Sequence, residues 1–216
     1  MRRTVQPEFL DLLPEDHPVA RANRRDLVFF NRIMGNETWI HRALAPALRR
    51  GDRVLEIGAG DGRLRRFLAP LLDAHGASMD GLDVRSRPAE WPPDATWIQE
   101  RIQDFDRFGG YDILLAALIL HQLHDDELGA LGANLGGRCR LILATEPARR
   151  SRFLWPIGAA GLLGIRPPSR HDARVSIAAG FRNDEIARLL KLPSSCWAWH
   201  VEEGRLGSHR FTARRR

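Results

Sequence analysis

Nine residues, Val54-Leu55-Glu56-Ile57-Gly58-Ala59-Gly60-Asp61-Gly62, put two carboxylates around three glycines. A turn without β-carbons bends tightly and lets backbone approach a ligand, while the first amides of a following helix remain available as donors. No Gly-Lys-Ser/Thr follows, so a phosphate-binding loop is absent. A dinucleotide is the closer rival, yet Glu56 and Asp61 would repel a pyrophosphate. The two acids better suit a ligand carrying an ammonium and a sulfonium. Asp61 also fits the simpler role of helix cap.

Asp83 closes "GLDV", 21 residues beyond Gly62. A carboxylate there can accept both hydroxyl hydrogens of a ribose. Val84 beside it can lie on an adenine face. Glu100 and the pair Asp104-Phe105 compete for the adenine edge, and spacing does not choose between them.

A second group of reactive side chains sits in "ILHQLHDDEL". His121 and His124 are three apart, but a zinc site wants three or four convergent ligands, so no metal is expected. His121 emerges where ligands of wound sheets sit and is a candidate pocket residue or base. Asp125 or Asp126 is expected to cap the next helix. In "RHDARVSIAAGF", His171 is the other candidate for proton transfer, with Asp172 or Ser176 fixing the segment. Glu146 also stands within reach of the pocket. Asn31, Trp39, Trp155 and Ser176 are candidate acceptor-facing residues, each with a competing role in core or cover.

These residues need a scaffold, and the patterning supplies one. "DRVLEIG", "ASMDGLD", "ATWIQE", "YDILLAALIL" and "RCRLILATEP" read as strands. "GRLRRFLAPLLDAH" and the glycine-diluted "DDELGALGANLGG" read as helices between them. Strand–helix alternation with a continuous apolar fourth strand implies an α/β, Rossmann-like, doubly wound and mostly parallel sheet. "RNDEIARLLKL" reads as a further helix, and "SCWAWHVEEGRLGSHRFTARR" as a closing antiparallel pair. Residues 1–50 read as an N-terminal helical cover with a break at Gly35-Asn36, and 51–216 as the main domain. Within it, 148–181 is an insertion after the fifth strand, read as a lid or acceptor-binding segment.

The chain has 216 residues, enough to bury a full core, and a formal charge of +6. Lys191 is the only lysine, and the arginines are spread along the chain, so compositional bias explains the charge better than a nucleic-acid footprint. No stretch approaches the roughly 20 apolar residues of a transmembrane helix. No apolar signal segment follows "MRRTVQPEFL", and Cys139 and Cys196 are the only cysteines, so a reducing cytoplasm is the expected location.

The glycine turn, the acid of "GLDV", the acidic segment 100–106, "YDILLAALILHQLHDDEL" and "RCRLILATEP" resemble class I S-adenosylmethionine-dependent methyltransferases over residues 50–147. The final hairpin is similar to that family's reversed last strand pair. "NRIMGNETWI" and "RHDARVSIAAGF" look like accessory segments of its small-molecule branch, acting on phenolic, polyketide or quinone-like compounds. The resemblance implies S-adenosylmethionine as cofactor, with Glu56 orienting the methionine ammonium region. Gly58, Ala59, Gly60 and Gly62 would form the cradle, and Asp83 would hold the ribose. It departs after the third strand, where "QERIQDFD" puts Arg101 near the expected aspartate. The implied reaction is methyl transfer to a small aromatic or polyketide-like acceptor, with oxygen slightly favoured over carbon. An RNA methyltransferase and a non-catalytic cofactor-binding protein are the alternatives. Oligomeric state is not read from the sequence.

Overall fold

The computed structural model describes residues 1–8, 13, 17, 18, 26, 31–154 and 166–216. The run 111–120 was expected as a strand covered on both faces, and alternation along it shows why. Ile113 and Leu115 join one apolar cluster while Leu114 and Ala116 join the other. This strand, β4 (Ile113–Ala117), lies at the middle of a seven-stranded sheet with β1 (Arg53–Ile57), β2 (Ser78–Asp83), β3 (Trp97–Gln99), β5 (Leu141–Pro147), β6 (Trp197–Glu203) and β7 (Ser208–Arg215). The order is β3-β2-β1-β4-β5-β7-β6, with β7 antiparallel to both β5 and β6 and every other pairing parallel. The expected α/β architecture, including the reversed terminal strand, is therefore what forms. Between β1 and β4 the chain order reverses, which opens a crevice at the strands' carboxyl ends.

Helices cover both faces. On one side α1 (Asn36–Leu44) and α2 (Arg63–His75) bury Ile40, Leu44, Leu64, Leu68 and Leu72 against Val54, Leu115 and Leu143. Leu64, Leu68 and Leu72 recur every four residues, the spacing of a single helical face. Gly35, at φ 66°, separates α1 from the helical residues 31–34, which matches the expected break. On the other side α3 (Asp125–Asn134) and α5 (Glu185–Leu189) pack Leu128, Leu131 and Ile186 over Leu55, Ile142 and Phe211. The insertion after β5 contributes α4 (Pro167–Ala179), which starts with prolines that donate no amide and need none at that position. Much of the expected helical cover before residue 31 lies outside the described residues, and residues 1–8 are not helical. Among the described residues no helix is long and apolar enough to cross a membrane.

One detail corrects the expected capping of α3. Glu127, not Asp125 or Asp126, reaches back to accept the His124 amide at 2.7 Å. Asp125 is turned instead to Arg3.

The glycines that dilute α3 have a packing cause. A β-carbon on Gly132 would stand 1.8 Å from the Leu190 carbonyl oxygen, and one on Gly129 would stand 3.0 Å from the Lys191 side chain. The two helices approach closely only because side chains are missing there. Alanine is the better helix former by about 1 kcal/mol, but backbone at that distance cannot yield cheaply. Gly132→Ala should therefore lower stability by about 1–3 kcal/mol in urea unfolding. A stabilised variant would contradict this account of the close approach.

Candidate functional site

β1 delivers the chain into the glycine turn at the sheet's carboxyl edge. Gly58, Gly60 and Gly62 have φ of 66°, 57° and 71°, the left-handed region that penalises a β-carbon. Crowding adds a second reason at two of them. A β-carbon on Gly58 would lie 2.5 Å from the Ile119 side chain, and one on Gly62 2.8 Å from the Trp91 ring. Gly60 differs: among the described residues the one neighbour its β-carbon would meet is the Gly58 carbonyl at 4.0 Å.

The sequence reading left the first amides of the following helix available as donors; of these, Arg63 is bonded within the turn, and the turn before it is largely bonded to its neighbours. Gly58 and Ala59 donate to the Leu82 carbonyl at 2.8 and 3.2 Å, Gly62 donates to Ala59, and Arg63 donates to Asp61. Gly60 donates to Asp83 Oδ2 at 2.8 Å, and Arg85 donates to Asp83 Oδ1 at 3.0 Å. The turn thus spends its donors on its own shape. Asp83 is the staple that holds it, and each of its oxygens keeps a lone-pair direction for a further donor.

What the turn offers a ligand is negative charge. Glu56 is 3% exposed, and its Oε2 has no hydrogen-bond partner among the described residues. Burial pushes its pKa well above the carboxylate range, and the charges of Asp61, Asp83 and Glu37 push it further. Glu37 comes from the first turn of α1, where Arg63 at the start of α2 pairs with it. The sequence reading missed Glu37; an acid in a helix's first turn has an ordinary explanation there. Trp91 was also missed. It is buried beneath the turn against Ala59 and Ala95 and edge-on to Trp97 at 4.9 Å.

The other candidates around this turn fare differently. Val84, just past the end of β2, is 63% exposed, a largely uncovered apolar surface. Glu100 is paired with Arg107 at 2.7 Å. Asp104 is exposed, whereas Phe105 is 1% exposed and packs edge-on against Phe108 in the core. A cavity of about 170 Å³ near this connection is lined by Ile102, Gln103, Leu123 and Asp126 and includes none of the candidate residues.

A second cluster forms at the ends of β4 and β5. Leu118 takes φ 59°, an uncommon conformation for leucine, as the chain leaves β4 for the turn at 120–122. Glu146, fully buried at the end of β5, holds that turn. Its Oε1 accepts the Ile119 and Leu120 amides at 3.1 and 2.8 Å, and its Oε2 accepts the His121 amide at 3.3 Å. His121 Nδ1 lies 2.7 Å from the same Oε2, and His121 Nε2 lies 3.3 Å from Glu8 Oε1. Burial alone would lower the His121 pKa, but hydrogen bonds to Glu146 and Glu8 outweigh it and raise it to about 9. Burial would conversely raise the Glu8 pKa, yet hydrogen bonds from His121 and Ser176 bring it down. Glu8 had no sequence signal at all, being 113 positions from its partner.

Three expected residues converge here: His121, Ser176, which donates to Glu8, and His171, whose charge acts on Glu8. His171 Nδ1 is 3.5 Å from Asp172 Oδ1, and its side chain is half exposed. Asn31 and Trp39 lie elsewhere. Asn31 accepts from Asn36 at 2.7 Å, and Asn36 in turn accepts from Ser208. Trp39 packs on the α1–α2 cluster with the Arg210 guanidinium 5.9 Å from its ring centre. Trp155 lies outside the described residues. Among the described residues no group of three His, Cys, Asp or Glu side chains is placed to hold a metal ion.

No protein-family model matches the chain, and no curated protein sequence matches it. Solved structures resemble it closely in shape. The plantazolicin methyltransferase BpumL in complex with SAH aligns with a TM-score of 0.68 at 15% identity, covering 93% of this chain and 92% of that one. The 1,6-didemethyltoxoflavin-N1-methyltransferase of Burkholderia thailandensis, with bound 1,6-didemethyltoxoflavin and S-adenosylhomocysteine, aligns at 0.57 and 17% identity, covering 99% and 93%. The pyocyanin biosynthetic protein PhzM aligns at 0.56 and 19% identity, covering 97% of this chain and 62% of that one. At such identities the likeness shows a shared α/β fold and nothing of this chain's role.

Two titrations check these electrostatics. Raising the Glu56 pKa in the folded state makes the native protein bind more protons, so Glu56 costs stability as pH rises from its unfolded value toward the higher folded one. Glu56→Gln should raise the midpoint of thermal unfolding at pH 7 without ligand and flatten its dependence on pH. For His121 the sign is opposite: its raised pKa contributes stability below about 6.5 that is lost as pH climbs through about 9. The His121 ring signals in NMR should titrate near that value, and Glu146→Gln should move them lower. A midpoint at or below 6.5 would remove the ion pairs from the description.

Proposed function

We propose that the chain is an S-adenosylmethionine-dependent methyltransferase acting on a small aromatic or polyketide-like acceptor, with oxygen slightly favoured over carbon as the methylated atom. The observation that carries the reading is the buried Oε2 of Glu56, unpartnered among the described residues, within a set of four carboxylates at the mouth of the glycine turn. A cationic ligand relieves that arrangement, and an anionic phosphate aggravates it. The likeness to methyltransferases solved with SAH supports the same reading.

The residues present fit that cofactor. When bound, it supplies an electrophilic methyl group on sulfur with a neutral leaving group. Glu56 would ionise to receive its ammonium, and Asp83 would accept from the ribose hydroxyls through its remaining lone pairs. Val84 would cover a face of adenine, and Gly60 would admit the chain between them. Of the adenine-edge candidates, Glu100 and Asp104 are proposed ahead of Phe105, whose ring faces the core.

The protein's contribution to transfer is then orientation, worth up to about 7–11 kcal/mol in well-aligned reactions. His121 was a candidate base, but both ring nitrogens face carboxylates and its pKa of about 9 keeps it protonated at neutral pH. Its proposed part is to position and to offset negative charge on the acceptor. Half-exposed His171 remains the candidate for accepting a proton. Ser176 lies in the same cluster; Asn31 and Trp39 are proposed as wall rather than contact residues, and Trp155 stays a candidate from sequence.

Calorimetry with S-adenosylmethionine and S-adenosylhomocysteine tests the cofactor, and a tritiated methyl-transfer screen over phenols, polyketides, quinone precursors and RNA tests the reaction. Uptake by the wild type is expected, with Asp83→Asn and Glu56→Gln each about ten- to a hundred-fold weaker, the range of a hydrogen bond to a charged group. No uptake by folded protein would end the reading. Transfer to RNA alone would redirect it to the nucleic-acid alternative, and uptake without any transfer to the binding-protein alternative.

A further inference from the structure

Glu8 stands where a ligand's polar group would stand. His121 leaves the end of β4 and Glu146 the end of β5, the edge at which wound α/β sheets bind their ligands. Because Nδ1 is held by Glu146, Nε2 points the other way and meets Glu8 Oε1. Ser176, on α4, donates to that same oxygen. Two donors from the framework thus converge on one carboxylate oxygen.

The acceptor of those bonds comes from outside the framework. Residues 1–8 form neither helix nor strand. They are held by Arg3, which donates to the carbonyls of Leu123 and Ala179 at 2.7 and 2.9 Å, and by the Thr4 amide on Ala178. Glu8 is the residue of this strap whose side chain enters the cluster. If its carboxylate leaves, the Ser176 hydroxyl can fall back on the Asp172 carbonyl 2.9 Å away. The Nε2–H of a protonated His121 has no such alternative among its described contacts, and a buried charged donor without an acceptor is costly. That vacancy would demand an oxygen bearing negative charge.

We infer that His121 and Ser176 form a subsite for an anionic oxygen of the acceptor, a carboxylate or an ionised phenol, which Glu8 occupies as an internal stand-in until the acceptor displaces it. The word acceptor rests on the methyltransferase reading; the convergence of donors does not. The subsite accounts for a doubly paired histidine that cannot serve as a base. It also selects among small aromatic compounds by charge, since a neutral group offers the imidazolium a weaker partner.

The test uses benzoate and salicylate as anions and benzamide as the neutral control. Each is titrated into the full chain and into Glu8→Gln, read by calorimetry and by the NMR signals of the His121 ring, with S-adenosylhomocysteine titrated into the same preparations. Benzoate or salicylate should shift the His121 ring in the wild type and bind Glu8→Gln at least about tenfold more tightly, while benzamide does neither. Adding Ser176→Ala to Glu8→Gln should remove severalfold of that gain. If Glu8→Gln does not fold, Glu8→Ala takes its place, and the wild-type ring shift requires no variant. Anions that leave the His121 ring unmoved, or that bind the Glu8 variant no better than the wild type, overturn the subsite. Equal binding of benzamide does the same. Absent uptake of S-adenosylhomocysteine would defeat the methyltransferase reading while the anion titration still judged the subsite.

Discussion

A carboxylate without exposed surface organises the functional edge of this protein. Glu146 accepts the amides of Ile119, Leu120 and His121 and faces the imidazole of the last. A buried carboxylate requires such partners, and a turn with unpaired amides requires such an acceptor. The consequences extend beyond the pair. Holding the turn in place presses Ile119 against Gly58, where no β-carbon fits, so one carboxylate on β5 bears on the shape of the glycine turn after β1. The neighbouring left-handed Leu118 is tolerated because the Thr145 carbonyl holds its own amide and Glu146 holds that of Ile119.

The edge carries two electrostatic territories. Around the glycine turn, Glu37, Glu56, Asp61 and Asp83 gather four carboxyl groups, of which Arg63 pairs with Glu37 and Arg66 lies 3.9 Å from Asp61. Around β4 and β5, a histidine made cationic by its neighbours lies between two acids. The first suits a cationic cofactor; the second suits a group whose charge can stand in for one of those acids.

The positive surplus that invited a nucleic-acid reading is substantially structural. Arg3, Arg140, Arg149 and Arg215 donate to backbone carbonyls that join distant segments, and Arg140 and Arg149 also pair with Asp52 and Glu185. Guanidinium suits this work because it stays charged and presents several donors in a fixed plane. A lysine at these places could not satisfy a carboxylate and a carbonyl in the same geometry. Count of charge therefore says less about partners here than the bonds those charges make.

How much was legible beforehand follows from the range of each interaction. The strand and helix order, the glycine turn and the place of Asp83 at the end of β2 were readable because they rest on periodicity and on residues within a short stretch of chain. The glycines of α3 were visible only as a weakness, since their cause, the Leu190 carbonyl, lies at the far end of another helix, just past its last residue. How the turn is braced was not legible, because the Leu82 carbonyl and the Asp83 carboxylate reach the Gly58, Ala59 and Gly60 amides only once the strands are side by side. Glu8, Glu37 and Trp91 carried no signal that set them apart from ordinary surface acids or a loop aromatic. Residue types and local spacing determined the sheet, its turn and the chemistry it could host. Only tertiary structure decided which carboxylates meet His121, because burial and the pairing of charges are properties of surfaces brought together from opposite ends of the chain.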